Sequence, residues 1–392
     1  MFFLTNPIEI TAYTSFLLVW AVNLFRVCYP NALSKEMKKK SDKSDCGKGG
    51  QAEKPGISVV ILTQNQEEQL MTLLPRVLEQ AYDSFEIIVV DMNSTDNTRI
   101  QLENMEKRYD NLKYTFVPKD TRQISLHTLA LILGVKAAHY SWVMLLTPDF
   151  LPHSEHWLAC MSDKMTEGKD FVLGARSVNA ESSSIRSFYY LLEQSRFLSW
   201  SLHHQTCHCN HVNLAFRKEK LLSCKTLGEY GVLLSGVENI FVNRFSTNER
   251  TAVCIAPEAL LQEISKTENK NWKKEMLYQK ETKCFYKHKS QYGLYSAFRM
   301  GIIWLLFLLG VSTLTLSIWT RHWEYTAGIV VLLVLWSCLR TRKLKKLSAL
   351  FSIKTAGIYL PFYELRLSCI YWGNSIRYAF QDKKVFYRKL TR

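Results

Sequence analysis

Four apolar runs punctuate the first half of the chain, each followed by a polar turn. Ile57–Leu62 (ISVVIL), Phe85–Val90 (FEIIVV), Leu112–Val117 and Trp142–Leu146 (WVMLL) are the runs. Most are near-continuous stretches of β-branched and aliphatic residues, the pattern of strands buried on both faces. Between them the period changes. Glu67–Ala81 places Leu70, Leu73, Leu74, Val77 and Leu78 at helical spacing. Thr95–Tyr109 reads as a helix capped by Ser94 or Thr95, and Ser125–His139 as a helix carrying Leu129, Ala130, Leu133, Val135 and Ala137. Strand–helix alternation of this kind predicts an α/β domain with a mostly parallel central sheet and helices on both faces. After Pro152 the pattern thins. Phe171–Ala175, Leu214–Arg217 and Ala252–Pro257 read as strands, Ile185–Ser201 as a helix with an aromatic stripe, Glu238–Phe245 as the start of another, and Trp272–Tyr286 as a basic amphipathic segment.

Longer apolar stretches lie at both ends. Pro7–Phe25 is long enough to span a bilayer, with Glu9 and Asn23 near its ends. A signal peptide is the competing reading, but no basic region precedes the run and no clear small-residue cleavage site follows it. Met300–Trp319 and Tyr325–Leu339 predict two further spans joined by a tight turn at Thr320–Glu324. Arg340–Lys346 follows directly and is strongly basic, which places it, and with it the 35–298 region, on the cytoplasmic side. Leu347–Trp372 mixes apolar, aromatic and charged residues and suits an interfacial helix. The expected organisation is an N-terminal anchor (1–33), a basic linker (34–55), a nucleotide-binding half (56–155), an acceptor-side half (156–290), two transmembrane helices (299–339) and a basic interfacial C-terminal segment (340–392).

Charge sharpens the membrane reading. The formal net charge is +15, and much of the excess sits in Lys35–Lys54, Arg340–Lys346 and the tail after Lys383. Basic clusters beside apolar spans suit an anionic membrane surface. Nucleic acid is the rival partner, but no recognition helix, aromatic RNA-binding signature or zinc-finger spacing supports it. The ten cysteines have no framework spacing and read as reduced thiols of a cytosolic compartment.

Candidate chemistry gathers at the strand ends. Thr63-Gln64-Asn65 follows the first strand, Asp91 with Asn93 the second, and Asp149 the fourth, at Trp142–Pro152 (WVMLLTPDFLP). In an α/β sheet these ends converge on one crevice, where an Asp can accept from a base or ribose, or hold a divalent cation against phosphates. The simpler reading is that Asp91 and Asn93 cap their turn. His203–His211 carries zinc-type ligands, but no second Cys/His pair is near, and a polar loop is the plainer expectation. No Gly-x-Gly-x-x-Gly follows the first strand, which argues against a dinucleotide oxidoreductase.

Ile57–Asn65 (ISVVILTQN), Phe85–Thr98 (FEIIVVDMNSTDNT) and Trp142–Pro152 resemble the nucleotide-binding half of family 2 glycosyltransferases, and the resemblance extends through Asn213–Lys218, Ser235–Arg244 and Trp272–Gln279. It implies a GT-A-type (Rossmann-like) nucleotide-sugar-binding domain and a membrane-anchored inverting enzyme. That enzyme would move a sugar from a nucleotide-diphosphate sugar to a lipid-linked or polysaccharide acceptor at the cytoplasmic face of the plasma (inner) membrane. By the same resemblance Thr63, Asn65, Asp91, Asn93, Asp149, Gln279 and Lys280 would bind the donor. Asp149 would also hold Mg²⁺ or Mn²⁺, and Glu238 would be the catalytic base. Three positions depart from the family pattern. Thr147 stands at the first position of Asp-x-Asp, Val237 at the base position with Glu238 one residue on, and Gln279-Lys280-Glu281-Thr282-Lys283 lacks the Arg of Gln-x-x-Arg-Trp. They open a second expectation, a non-enzymatic partner in envelope polysaccharide assembly.

Overall fold

A computed structural model describes residues 7–28, 33, 54–118, 124–179, 181–224, 229–265, 269–287, 289–355 and 360–387. Most of the basic linker expected at 34–55 lies outside these residues. The four leading strands form as β1 (Ile57–Thr63), β2 (Phe85–Asp91), β3 (Leu112–Phe116) and β4 (Trp142–Leu146), separated by helices α2 (Glu67–Leu78), α3 (Thr98–Glu106) and α4 (Leu126–Ala137), with α1 (Pro7–Cys28) preceding them. Every residue of β1 and β4 is buried, which is why these strands show no polar alternation.

The alternation is instead between two cores. Val60, Leu62, Ile88 and Val90 face Ala130, Leu131 and Val135 of α4. Val59, Ile61, Ile87 and Val89 face Leu70, Leu73, Leu74 and Val77 of α2. Gly134 lets α4 approach the sheet: a Cβ there would lie 2.5 Å from Val60 Cγ1.

Later elements complete two sheets. β5 (Phe150–Pro152), helix α5 (Trp157–Ser162), β6 (Phe171–Leu173), β7 (Arg176–Ser177), α6 (Ser184–Ser201), β8 (Leu214–Arg217), α7 (Lys218–Leu222), α8 (Val237–Phe245), β9 (Thr251–Val253), β10 (Leu261–Glu263) and α9 (Asn269–Lys283) follow in order. The seven-stranded sheet runs β3-β2-β1-β4-β8-β6-β9, and a three-stranded sheet runs β5-β10-β7. β1 pairs in parallel with both β2 and β4, and β2 with β3, while β8 runs antiparallel to β4 and β6.

Two local expectations change. The second helix starts at Thr98, not Thr95, because Ser94 turns back to Asp91 and the Thr98 N–H donates to Asp96 Oδ1 at 3.1 Å. The small sheet was not expected; its strands of two and three residues are too short to show a period.

Three helices follow: α10 (Lys289–Trp319), α11 (Trp323–Leu350) and α12 (Leu360–Phe380). Two helical stretches, Pro7–Val27 and Gln291–Trp319, are long and apolar enough to cross a membrane. Tyr13, Phe16 and Val19 of α1 pack with Leu306 of α10 and with Ile329 and Trp336 of α11. The stretch Tyr325–Leu339, expected as a second C-terminal span, does not end where the basic Arg340–Lys346 begins. It is the first half of α11, and the same helix continues through Arg340–Lys346. Arg340 is buried against Glu364 of α12. α12 in turn packs on α6 and α9, so the helices at the end of the chain lean on the α/β domain.

Candidate active site

The strand order fixes where a ligand belongs. The chain leaves β1 to pair with β2 on one side and returns through β4 on the other, so the carboxyl ends of β1 and β4 bound a topological switch point. The β1 and β2 ends are stitched together there. Met92 N–H donates to the Thr63 carbonyl at 2.9 Å, and Asn65 N–H to Ser94 Oγ at 2.9 Å. Asn65 Oδ1 accepts from Thr95 N–H at 2.7 Å. Asp91 accepts from Ser94 N–H at 3.1 Å and from Ser94 O–H. Asn65 (φ 51°) and Asn93 (φ 63°) both adopt the left-handed region, which Asn tolerates in tight turns. Gln66 joins this cluster to β4, donating from Nε2 to Asp149 Oδ2 at 3.1 Å.

Asp149 sits where the large sheet hands over to the small one. Its carbonyl accepts from Ile264 N–H at 2.9 Å, and Phe150 N–H closes a turn onto the Thr147 carbonyl at 3.1 Å. The side chain faces a cavity of about 240 Å³ whose walls include Thr147, His127, Arg176, Glu238, Glu263 and Gln279. Burial pushes the Asp149 carboxyl up, and the charge of Glu263 adds to that effect against hydrogen bonds from Gln66 and Ser265.

Across the cavity Glu238 opens α8. The N-cap residue of this helix, Gly236, has φ 90°, and a Cβ there would meet Thr282 Oγ1 at 2.5 Å. Only glycine fits that left-handed, crowded position. Glu238 is buried and hydrogen-bonded to His127 Nε2. Burial alone would raise its carboxyl, but the charge and hydrogen bond of His127, with His211 behind, bring it down to about 2. Burial lowers the His127 imidazole and Glu238 more than reverses this, so it stands above its ordinary value. Each partner thus favours the charged form of the other, imidazolium beside carboxylate.

The expected site residues divide into groups. Asp149, Glu238 and Gln279 share the cavity. Asn65, Asp91 and Asn93 form the neighbouring turn cluster, and Asp91 spends its carboxylate on Ser94, as the capping reading has it. Thr63 differs from expectation: its side chain has no exposed surface, and its hydroxyl finds no partner. Lys280 also differs. Its Nζ stands 5.2 Å from the Tyr378 ring centroid and does not line the cavity. In the His203–His211 stretch, His204 stacks on Trp200, His208 lies buried against Phe197, and His211 alone of its histidines reaches this cavity. Cavity residues missed from the sequence include His127, Arg176, Arg186 and Glu263. Each comes from an element read as core or left unread, and only the tertiary fold brings them together.

A parallel-sheet switch point, a carboxylate at the end of β4 and a second carboxylate across the cavity on α8 together form a candidate ligand crevice. Residues 58–222 match the family model described as Glycosyl transferase family 2, and the fold is of GT-A type. Among solved structures, the chain is similar to the mannosyltransferase PcManGT from Pyrobaculum calidifontis in complex with GDP-Man and Mn²⁺. The TM-score is 0.53 at 15% identity, covering 94% of this chain and 96% of that one. TarS 1–349 from S. aureus with UDP-GlcNAc matches at TM-score 0.42 and 15% identity, over 83% of this chain and 91% of that one. Glucosyl-3-phosphoglycerate synthase from Mycobacterium tuberculosis with Mn²⁺, UDP and phosphoglyceric acid matches at 0.38 and 16%, over 56% and 74%. At 15% identity the first of these likenesses speaks to the fold.

Proposed function

We propose that the chain is a membrane-anchored glycosyltransferase. It takes a sugar from a nucleotide-diphosphate sugar and passes it, with inversion, to a lipid-linked or polysaccharide acceptor at the cytoplasmic face of the plasma (inner) membrane. The observation that carries this reading is the meeting of Asp149 and Glu238 on one cavity beside the β1/β4 switch point. The turn cluster of Asn65, Asp91 and Asn93 lines the nucleotide end. Glu238 is the base that takes the proton of the acceptor hydroxyl as that oxygen attacks the anomeric carbon and the nucleoside diphosphate leaves. Two helices of spanning length, packed on each other, support the anchor. The basic second half of α11 supports a cytoplasmic, anionic surface beside them.

A divalent cation, Mg²⁺ or Mn²⁺, fits Asp149. Among the described residues Glu238 is paired with His127 and Glu263 with Arg186, whereas Asp149 has no cationic partner. No group of three or more His, Cys, Asp or Glu side chains gathers around it among the described residues. The remaining ligands would come from substrate phosphate and water. Bound there, the ion would neutralise charge on the departing diphosphate.

The test is a panel of nucleotide sugars with the purified full-length chain, scored for binding and for sugar transfer. Glu238→Gln should abolish transfer while keeping nucleotide binding. Binding of no nucleotide by the wild type, or unaltered transfer by Glu238→Gln, refutes the reading. A specific observation favours the second reading, a non-catalytic partner in envelope polysaccharide assembly: a carboxylate held at about 2 is a weak base. Nucleotide binding without turnover of any donor in the panel would support it.

A further inference from the structure

Arg176 is the cavity cation that the scheme above leaves unused. It lies on β7, is only 9% exposed, and lines both the main cavity and a smaller one behind it. The other cations nearby are committed. Arg186 pairs with Glu263, His127 with Glu238, and Lys283 with Glu193 at 3.5 Å. Lys280 is turned onto Tyr378. Among the described residues no carboxylate lies within ion-pair distance of the Arg176 guanidinium.

Its place is nevertheless fixed. The guanidinium stacks 4.3 Å from the Tyr190 ring centroid and 5.2 Å from that of Phe150. Gln194 holds the backbone from both sides, accepting from Arg176 N–H at 2.8 Å and donating to its carbonyl at 3.0 Å. Tyr190 gives its own O–H to Glu275 at 2.8 Å. Phe150 follows Asp149 directly, so one of the rings carrying the guanidinium is a single residue from the carboxylate assigned to the cation. Tyr190 hydrogen-bonds the group and the charges of Glu275 and Glu263 reach it, but neither carboxylate makes an ion pair with it, and a buried charge without a direct counter-ion is unfavourable. A planar fork of donors held open toward a cavity matches the oxygens of a phosphate.

We infer that Arg176 is the anion-binding group of this site and takes a phosphate of the substrate. The inference rests on the glycosyltransferase reading for the choice of ligand. The phosphate belongs either to the nucleotide sugar or to a lipid-linked acceptor, and the experiment separates them. The full-length chain in detergent is titrated calorimetrically with UDP, GDP, uridine and guanosine, and separately with farnesyl phosphate and farnesol. Wild type is compared with Arg176→Gln and Arg176→Lys, each checked for folding by its thermal melt.

The expected result is that wild type binds at least one phosphate probe more tightly than its phosphate-free counterpart. Arg176→Gln should weaken that binding ten-fold or more and close the gap. Arg176→Lys keeps the charge without the fork and should lose less. Loss with UDP or GDP assigns the group to the donor, and loss with farnesyl phosphate alone assigns it to the acceptor. Unchanged affinity of Arg176→Gln for every phosphate probe overturns the inference, as does a wild type that binds none of them. Should Arg176→Gln fail to fold, wild-type affinity in Arg176→Lys overturns it. Arg176-dependent binding of farnesyl phosphate with no nucleotide binding refutes the nucleotide-sugar reading and upholds the anion site.

Discussion

Replacing His127 with Gln isolates the couple that sets the state of the proposed base. Glu238 stands at about 2, where a carboxyl of its kind ordinarily titrates near 4.5. Each tenfold change in proton affinity corresponds to about 1.4 kcal/mol, so the net shift, with burial opposing and His211 helping, corresponds to about 3 kcal/mol. The Glu238 contribution is present above the ordinary carboxyl value and is lost as pH falls through about 2. The His127 contribution is present below the ordinary imidazole value of 6.5 and is lost as pH rises through its raised value. These are two views of one interaction, and their overlap puts its full strength between roughly pH 4.5 and 6.5. Removing one partner of a buried pair costs about 3–5 kcal/mol. With the His127 side chain 26% exposed, the lower end applies. For a domain of this size that is a fall of roughly 6–12 °C in Tm. Thermal melts of wild type and His127→Gln across pH 4–9 should show the gap widest near pH 5–6 and narrowing toward pH 9. In the variant only His211 and a backbone hydrogen bond still oppose the upward push of burial on Glu238, so the carboxyl should rise and an acidic limb should move up in the pH profile of transfer. A gap that is constant, or grows with pH, refutes the couple.

Asp149→Asn should stabilise the ligand-free chain at pH 7. The Asp149 carboxyl is raised by burial, so ionising it works against the folded state, and the gain should vanish by about pH 3. The same variant should lose any Mn²⁺-dependent rise in Tm with nucleotide, which a thermal-shift titration reads directly. Gly236→Ala forces an L side chain into φ 90° against Thr282. The expected cost is about 1–3 kcal/mol, with a loss of transfer as α8 and Glu238 shift; a Thr282→Ala background should restore part of the Tm. Arg340→Met leaves Glu364 buried without its cation, at a cost of about 3–5 kcal/mol. Adding Glu364→Gln should recover most of that loss in a double-mutant melt.

What the sequence discloses follows the range of the interaction. β1, β2 and β4 were legible because burial on both faces leaves an uninterrupted apolar run. Asp149 was legible because it ends such a run. β7 spans two residues, too few for any period, and the cavity cation it carries was hidden with it. His127 sits in a helix whose apolar pattern reads as core, and nothing local shows that it meets a residue 111 positions on. Lys280 shows the opposite error. α9 is basic on several sides, and the phase set by buried Trp272, Met276 and Leu277 decides which cations face the cavity. α11 was divided because hydropathy falls at Arg340, but the backbone has no reason to stop there: no Gly or Pro intervenes, and Arg340 finds Glu364.

The charge pattern of the cavity narrows what can occupy it. Glu238 and Glu263 are answered by His127 and Arg186 within the protein. Both oxygens of Glu275 accept hydrogen bonds, from Tyr190 and from Gln279. What remains is Asp149, a carboxylate with no ion-paired cation, and Arg176, which feels the charges of Glu275 and Glu263 but forms an ion pair with neither among the described residues; the two are separated in the chain by the small sheet but joined across it through Phe150. A neutral sugar would leave both charges unanswered. A lone anion would satisfy Arg176 and leave Asp149 exposed to the charge of Glu263, the interaction that already raises its carboxyl. A cation-bound phosphate satisfies both at once, placing positive charge at Asp149 and oxygens at Arg176. On this argument anion and cation should bind cooperatively, each tightening the other by the same factor. The coupling should disappear in Asp149→Asn while Arg176 still takes the phosphate alone.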